Sequence, residues 1–128
     1  MQHEAPPFDQ QVTFVSVRDL DQSTHFYRDT LGLRLALDQG DCRIFEVTAT
    51  AFVGVCTRAD TVSPDGIIVT LVTDDVDAWH DRLTAAGVPC ERAPNHNEKY
   101  DLYQAFYRDP DGYLVEIQRF LDSAWPKP

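Results

Sequence analysis

The sequence runs through one order of elements twice. A β-rich run at 12–17 precedes an aspartate-rich helix start, a helix that stops at Gly32, and three further strands. The strand at 67–72, the helix from Asp75 to Gly87 and three more strands repeat that order. Asp19 to Gly32 and Asp75 to Gly87 agree in length to within one residue. A single βαβββ unit cannot bury its sheet face alone, so the repeat predicts two such units that fold together.

The turn at Asp109-Pro110-Asp111-Gly112 predicts a tight hairpin near the end of the chain. Proline presets φ for a turn, aspartate bonds back to the backbone, and glycine tolerates positive φ. A bulge at Gly112 would pair Asp109 with Tyr113. Glu116 would then share a sheet face with Gln104 and Phe106. Because burying a carboxylate is costly, this glutamate needs either a hydrogen-bond partner or a function.

These residues carry a resemblance to a known family. Asp109 to Tyr113, followed by two apolar residues and Glu116-Ile117, resembles the last hairpin of the vicinal-oxygen-chelate superfamily. That group includes glyoxalase I, fosfomycin- and bleomycin-resistance proteins and extradiol dioxygenases. The segments 17–20, 26–27 and 31–33 resemble its first strand and helix. The resemblance extends over roughly residues 11–120.

The resemblance implies an α+β fold of two βαβββ modules. Their strands would form a curved eight-stranded mixed sheet around a concave cup, with the helices outside. Module one would span 11–58 and module two 67–120, in a single domain over 11–120. Residues 1–10 would be an N-terminal arm, and residues 121–128 a C-terminal tail. The polar segments 58–66 and 94–100 are expected to be loops.

Metal enzymes of the family place four ligands, usually His or Glu, on four strands, and Glu116 matches one ligand position. The other three positions fall on Val12, Gly54 and Ile68, whose side chains cannot coordinate a metal. No histidine lies on a predicted strand. We therefore expect no metal cofactor. The alternative is a divalent metal bound by Glu116 together with His96 from its loop.

Strand alternation assigns the candidate ligand-binding residues to one sheet face, which the resemblance makes the concave one. A mixture of apolar walls and a few polar groups is typical of a small-molecule pocket. For each apolar member, ordinary packing is the competing interpretation. Glu116 is the candidate catalytic residue, either a general acid or base with a raised pKa or a carboxylate satisfied by its neighbours. The ligand-binding candidates are Phe14, Ser16, Phe52, Cys56, Arg58, Thr70, Gln104 and Phe106.

The net charge limits the kinds of partner that the protein can bind, and the cysteines indicate its cellular location. The formal net charge of −10 argues against nucleic acid and anionic membranes, and no apolar run approaches the roughly 20 residues of a membrane span. The three cysteines, Cys42, Cys56 and Cys90, show no motif spacing. This pattern predicts reduced thiols and a cytoplasmic location.

The sequence thus predicts a glyoxalase/bleomycin-resistance-like protein that binds a small organic molecule without a metal. The alternative is a lyase, isomerase or dioxygenase of the same superfamily with an atypical metal site that uses Glu116. Members of the family usually pair two chains, and the arm and tail carry apolar residues that a monomer has little room to bury. A homodimer is therefore expected.

Overall fold

The computed structural model describes residues 5–128, and the chain divides into two compact units with the boundary after Thr61. Residues 1–4 of the predicted arm lie outside the described residues. The elements are β1 (Gln11–Ser16), α1 (Leu20–Thr24), which continues as a π-helix over His25–Thr30, β2 (Arg34–Asp38), β3 (Cys42–Thr48), β4 (Ala51–Cys56), β5 (Ile68–Val72), α2 (Val76–Ala85), β6 (Cys90–Asn97), β7 (Leu102–Arg108) and β8 (Leu114–Phe120).

The first unit is a four-stranded sheet in the order β1-β4-β3-β2 with one helical segment on one face. β1 runs parallel to β4, and the other pairs are antiparallel. At the aspartate-rich helix start, the Asp19 carboxylate accepts a hydrogen bond from the Gln22 amide at 3.0 Å and so caps α1. The buried Tyr27 ring stacks on Phe45 at 5.9 Å and joins the helical segment to the sheet.

The second unit repeats this plan, with strands in the order β5-β8-β7-β6 and α2 on one face. β5 is parallel to β8, while β7 pairs antiparallel with both β8 and β6. Alternate residues of β7 and β8, such as Tyr107, Val115 and Ile117, are buried with Leu83 of α2. The hairpin forms as predicted: the Asp109 amide donates to the Tyr113 carbonyl at 3.0 Å, and Gly112 has φ of 93°.

The predicted α+β class with two βαβββ modules is confirmed, with three differences in detail. The eight strands divide into two four-stranded sheets. β6 continues to Asn97, through a segment predicted to be a loop. Pro94 suggested that loop, but it lies at a bulge between Arg92 and Asn95, where a missing amide donor is tolerated. The C-terminal tail, expected to lie outside the domain, packs on its own unit, because Trp125 stacks on Phe120 with the ring centroids 3.8 Å apart.

Among residues 5–128, no helix combines the length and the apolar character needed to span a bilayer. α2 has ten residues, the first helical segment with its π-helical continuation spans residues 20–30, and both carry charged side chains. A span would need about 20 predominantly apolar residues.

Candidate functional site

Each sheet has one face away from the helix of its own unit, which we call the helix-free face. In the second unit the strand register brings Thr70, Glu116 and Phe106 side by side across β5, β8 and β7. Gln104 lies opposite Gln118 on the same face. The predicted sharing of one face by Glu116, Gln104 and Phe106 is therefore confirmed. Ile68 and Val72 flank Thr70, each 52% exposed.

Glu116 is a half-buried carboxyl on this face. The Thr70 hydroxyl donates a hydrogen bond to its Oε1 atom at 2.9 Å. Burial raises the pKa of Glu116, and the hydrogen bond from Thr70 acts in the opposite direction. A carboxyl in these surroundings can accept a hydrogen bond when ionised, donate one when protonated, or exchange a proton with a bound molecule.

In the first unit the helix-free face carries Phe14, Ser16 and Phe52. Phe14 pairs with Gly54 across β1 and β4, and Ser16 pairs with Cys56. The Phe14 side chain is 48% exposed, whereas Val15, the next residue along β1, is buried against the helical side. Alternation along β1 thus places the predicted residues on one face, as expected for a strand with one buried side.

Cys56 is the predicted site residue whose chemistry the structure corrects. It forms a disulfide with Cys42, 14 residues away, so it offers no free thiol to a ligand or a substrate. The two cysteines are directly opposed in the β3–β4 ladder, close enough for the bond. Arg58 lies beside this disulfide, with Nη2 3.5 Å from Cys56 Sγ. Cys90 remains a free and exposed thiol.

A hairpin signal in the sequence could have revealed this disulfide. Cys42 and Cys56 are equidistant from Ala49, in the turn between β3 and β4. Reading residues 48–50 as a hairpin turn would have placed the two cysteines opposite each other. Gln118 and Leu114 were also missed, although alternation from Glu116 puts both on its face.

The alternative metal pair is not brought together. His96 is paired with Tyr103, and Tyr103 points to the helical side, where its hydroxyl donates to Asp77 of α2 at 2.6 Å. Glu116 lies on the opposite face of that sheet. The His96 ring instead lies 3.2 Å from the Asp101 carboxylate.

The donor set at the family positions does not fit a metal either. Among residues 5–128, no group of three His, Cys, Asp or Glu side chains is arranged to hold an ion. Val12, Gly54 and Ile68 bring no lone pair to the positions where the resemblance places ligands. Glu116 alone is a poor site, because divalent metals in proteins take several donors.

A cleft of about 490 Å³ lies elsewhere in the second unit, between the end of β8 and the tail. Arg119 and Trp125 line it, and Lys127 reaches Asp74 across it at 3.3 Å. Arg119 is paired with Tyr103 in the β7–β8 ladder, so it belongs to the helical side. Phe120 also lines the cleft and alternates with Arg119 along β8, so the cleft extends to the face that carries Glu116, although Glu116 itself does not line it.

Comparisons with known proteins agree with this architecture. The sequence model of the Glyoxalase/Bleomycin resistance protein/Dioxygenase superfamily matches residues 10–117. The uncharacterized protein YraH of Bacillus subtilis (strain 168) is 28% identical over 120 residues, which cover 82% of this chain and 93% of YraH. A probable lactoylglutathione lyase of Vibrio parahaemolyticus is 31% identical over 121 residues, 82% of this chain and 86% of the lyase.

A solved structure also has a similar fold. The crystal structure of TioX from Micromonospora sp. ML1 superposes with a TM-score of 0.73 at 27% identity. The match covers 88% of this chain and 98% of TioX. The hairpin motif, the two βαβββ units and these matches together show that the chain belongs to the Glyoxalase/Bleomycin resistance protein/Dioxygenase superfamily.

Proposed function

We propose that this chain binds a small organic molecule on the helix-free face of its second sheet, with Glu116 as the polar anchor and without a divalent metal. The observation that carries the proposal is the half-buried Glu116 carboxyl between exposed apolar side chains. Among the described residues, Thr70 is its hydrogen-bond partner, through Oε1. The second oxygen, Oε2, is therefore available to a donor on a ligand.

The chemistry of this face indicates what it would bind. Ile68, Val72 and Phe106 offer apolar contact area, and Gln104 adds an amide. A few polar groups among apolar walls are typical of small-molecule sites. A carboxylate favours a ligand with an N–H or O–H group, and the net charge of −10 favours neutral or cationic ligands over anions.

The first experiment identifies the ligand and the metal content together. The full chain is purified with nickel, zinc, manganese and iron present, and mass spectrometry and elemental analysis record what it retains. We expect an organic molecule that Glu116→Ala loses and Glu98→Ala keeps, because Glu98 is an exposed carboxylate of the β6–β7 loop. A stoichiometric metal that disappears with Glu116→Ala would refute the metal-free site.

A second candidate function is catalysis by the same carboxyl, as a lyase, isomerase or dioxygenase. The raised pKa of Glu116 favours it, since a general acid or base works best with a pKa near the working pH. The relative named a probable lactoylglutathione lyase also supports it. Turnover of α-ketoaldehyde–thiol adducts and of catechols, with and without a chelator, is the test. Activity that survives chelation but not Glu116→Gln would assign metal-independent acid–base chemistry.

Exposed apolar surface supports the proposed homodimer, whereas the cysteines bear on the cellular location. Phe8 of the arm, 97% exposed, and Leu121 of the tail, 41% exposed, provide apolar surface that a second chain could cover. The cytoplasmic prediction relied on reduced thiols. With Cys42 and Cys56 joined, the cysteine pattern favours an oxidising compartment instead.

A further inference from the structure

One of the positions at which metal enzymes of the family place a ligand lies on β4 of the first unit. Gly54 occupies it, and the Phe14 ring lies against the Gly54 backbone. A Cβ atom added at Gly54 would stand 2.4 Å from Phe14 Cδ1 and 2.5 Å from Cε1. Real Cβ atoms do not approach so closely, so any larger residue at position 54 would displace the ring. Glycine at this position is what allows the ring to rest there.

The row of residues across the sheet at this point is entirely apolar. Phe14 pairs with Gly54, Gly54 with Ile44, and Ile44 with Leu37. In the neighbouring row Glu46 is paired with Arg34, so its carboxylate is already neutralised by a guanidinium. This part of the helix-free face therefore offers a cation no uncompensated carboxylate. It offers instead an aromatic ring held in place by a glycine.

The exposure of Phe14 distinguishes this ring from a core residue. Phe45, on the helical side of the same sheet, is 0% exposed, whereas Phe14 is 48% exposed. A ring with one side against the backbone and about half its surface in solvent is immobilised without being buried. Such a ring can stack on another ring with little further loss of side-chain freedom.

We propose that Phe14 and Gly54 form a stacking platform that selects ligands with a planar unsaturated ring. The family's metal position on β4 would thus have become a site for ring recognition. The platform lies in the first unit and is inferred independently of the Glu116 face of the second unit, so this inference goes beyond the proposed function. It assigns the ligand class from the first unit alone, and Phe14 acts as a specificity-determining residue.

The test compares two neutral probes of the same connectivity, naphthylmethanol and its fully saturated decahydro counterpart. Each is titrated into the isotope-labelled full chain, and the amide shifts of Phe14 and Gly54 are followed by NMR. We expect the aromatic probe to bind about fivefold more tightly, the size of effect that aromatic pairing gives beyond contact area. Phe14→Leu should remove this preference, and Phe8→Leu, which alters an exposed phenylalanine of the arm, should preserve it.

A double-mutant cycle tests the part played by the glycine. Gly54→Ala should weaken naphthylmethanol binding when Phe14 is present and have no effect in the Phe14→Leu background, since the added methyl acts by displacing the ring. Phe14→Leu keeps an apolar side chain, so it remains informative even if Gly54→Ala fails to fold.

Four results would overturn the inference. Equal affinity of the two probes would remove the stacking platform while leaving small-molecule binding intact. An unchanged probe preference in Phe14→Leu would do the same. If neither probe binds, or if Phe14→Leu changes only the mass measured by light scattering, Phe14 has a role other than ring binding. The proposed function is tested separately, by whether Glu116 is needed to retain a copurified molecule.

Discussion

Gly112 is the residue on which the last hairpin depends. Its φ of 93° lies in the region that side chains with a Cβ rarely adopt. A Cβ there would meet only Pro64 Cγ, at an ordinary 3.7 Å. Substitution is therefore costly because of backbone strain and not because of crowding.

Gly112→Val should lower the free energy of unfolding by about 1 kcal/mol or more, because a β-branched residue at positive φ is strained. Gly112→Asn should cost less, since asparagine adopts positive φ more readily. Urea unfolding of both variants checks this expectation. Equal stability of the valine variant and the parent would contradict the backbone argument.

The protonation of Glu116 makes the stability of the fold depend on pH. Burial raises its pKa in the folded state above the unfolded value, so the folded state binds the proton more tightly. The stabilisation that comes from this tighter proton binding is fully present at pH values below the pKa of Glu116 in the unfolded state. It is lost as the pH rises through the raised pKa of the folded state.

Glu116→Gln should therefore gain stability relative to the parent as pH rises from about 4 to about 7, a window that starts near the ordinary pKa of glutamate. The amide resembles the protonated acid and can still accept the bond from Thr70. Urea unfolding at several pH values measures the difference, and Glu98→Gln is the exposed control. A difference that does not change with pH would show that burial of Glu116 does not affect its protonation.

At the scale of elements, two tyrosine hydroxyls connect α2 to β7. Tyr107 is fully buried, and its hydroxyl is 2.7 Å from His80 Nδ1. Burial raises the pKa of Tyr107 to about 12, so the phenol is neutral at any physiological pH. Tyr103 is on the same side of the strand and donates to Asp77 near the surface.

Tyr107→Phe should lower the free energy of unfolding by about 1 kcal/mol, the usual net value of a hydrogen bond inside a protein. Tyr103→Phe should cost less, because its bond competes with water. Thermal unfolding of both variants tests the ranking. The reverse order would mean that the exposed bond, and not the buried one, holds α2 against the sheet.

The Cys42–Cys56 disulfide acts on the β3–β4 pair. It closes a loop with a sequence separation of 14 residues. Cys42→Ser with Cys56→Ser should lower the free energy of unfolding by about 3 kcal/mol, the value expected for a loop of this length. Reductant should bring the parent to the same stability, and Cys90→Ser should have no effect. Insensitivity of the parent to reductant would contradict a stabilising disulfide.

At the scale of the whole molecule, the expected assembly is a twofold homodimer. Each four-stranded sheet has two edge strands, β1 and β2 in the first and β5 and β6 in the second. Such edges tend to be covered in stable proteins. Closed symmetric pairs are the commonest way for identical chains to cover them.

Light scattering should give twice the chain mass at micromolar concentration. A chain cut after Arg119 loses the Phe120–Trp125 stack and should dimerise more weakly if the tail takes part. A full-length monomer would refute the dimer. If the truncated chain dimerises with equal affinity, the sheet edges alone support the expectation.

The sequence by itself determined the local structure and much of the fold. Alternation in β1, the Asp19 cap and the Asp109–Gly112 turn each depend on neighbouring residues, so their physical causes are visible in the chain. The face shared by Glu116, Gln104 and Phe106 followed because a tight turn fixes the register of its two strands.

Only the tertiary structure decided which distant side chains meet. The β6–β7 ladder pairs His96 with Tyr103, which puts His96 on the face of the sheet opposite Glu116. The Phe14 ring found its place only because Gly54 lies opposite it on a parallel strand. Register between strands far apart in sequence depends on bulges and packing, and a shift of one residue moves a side chain to the other face. The local sequence pattern does not determine the register between such strands.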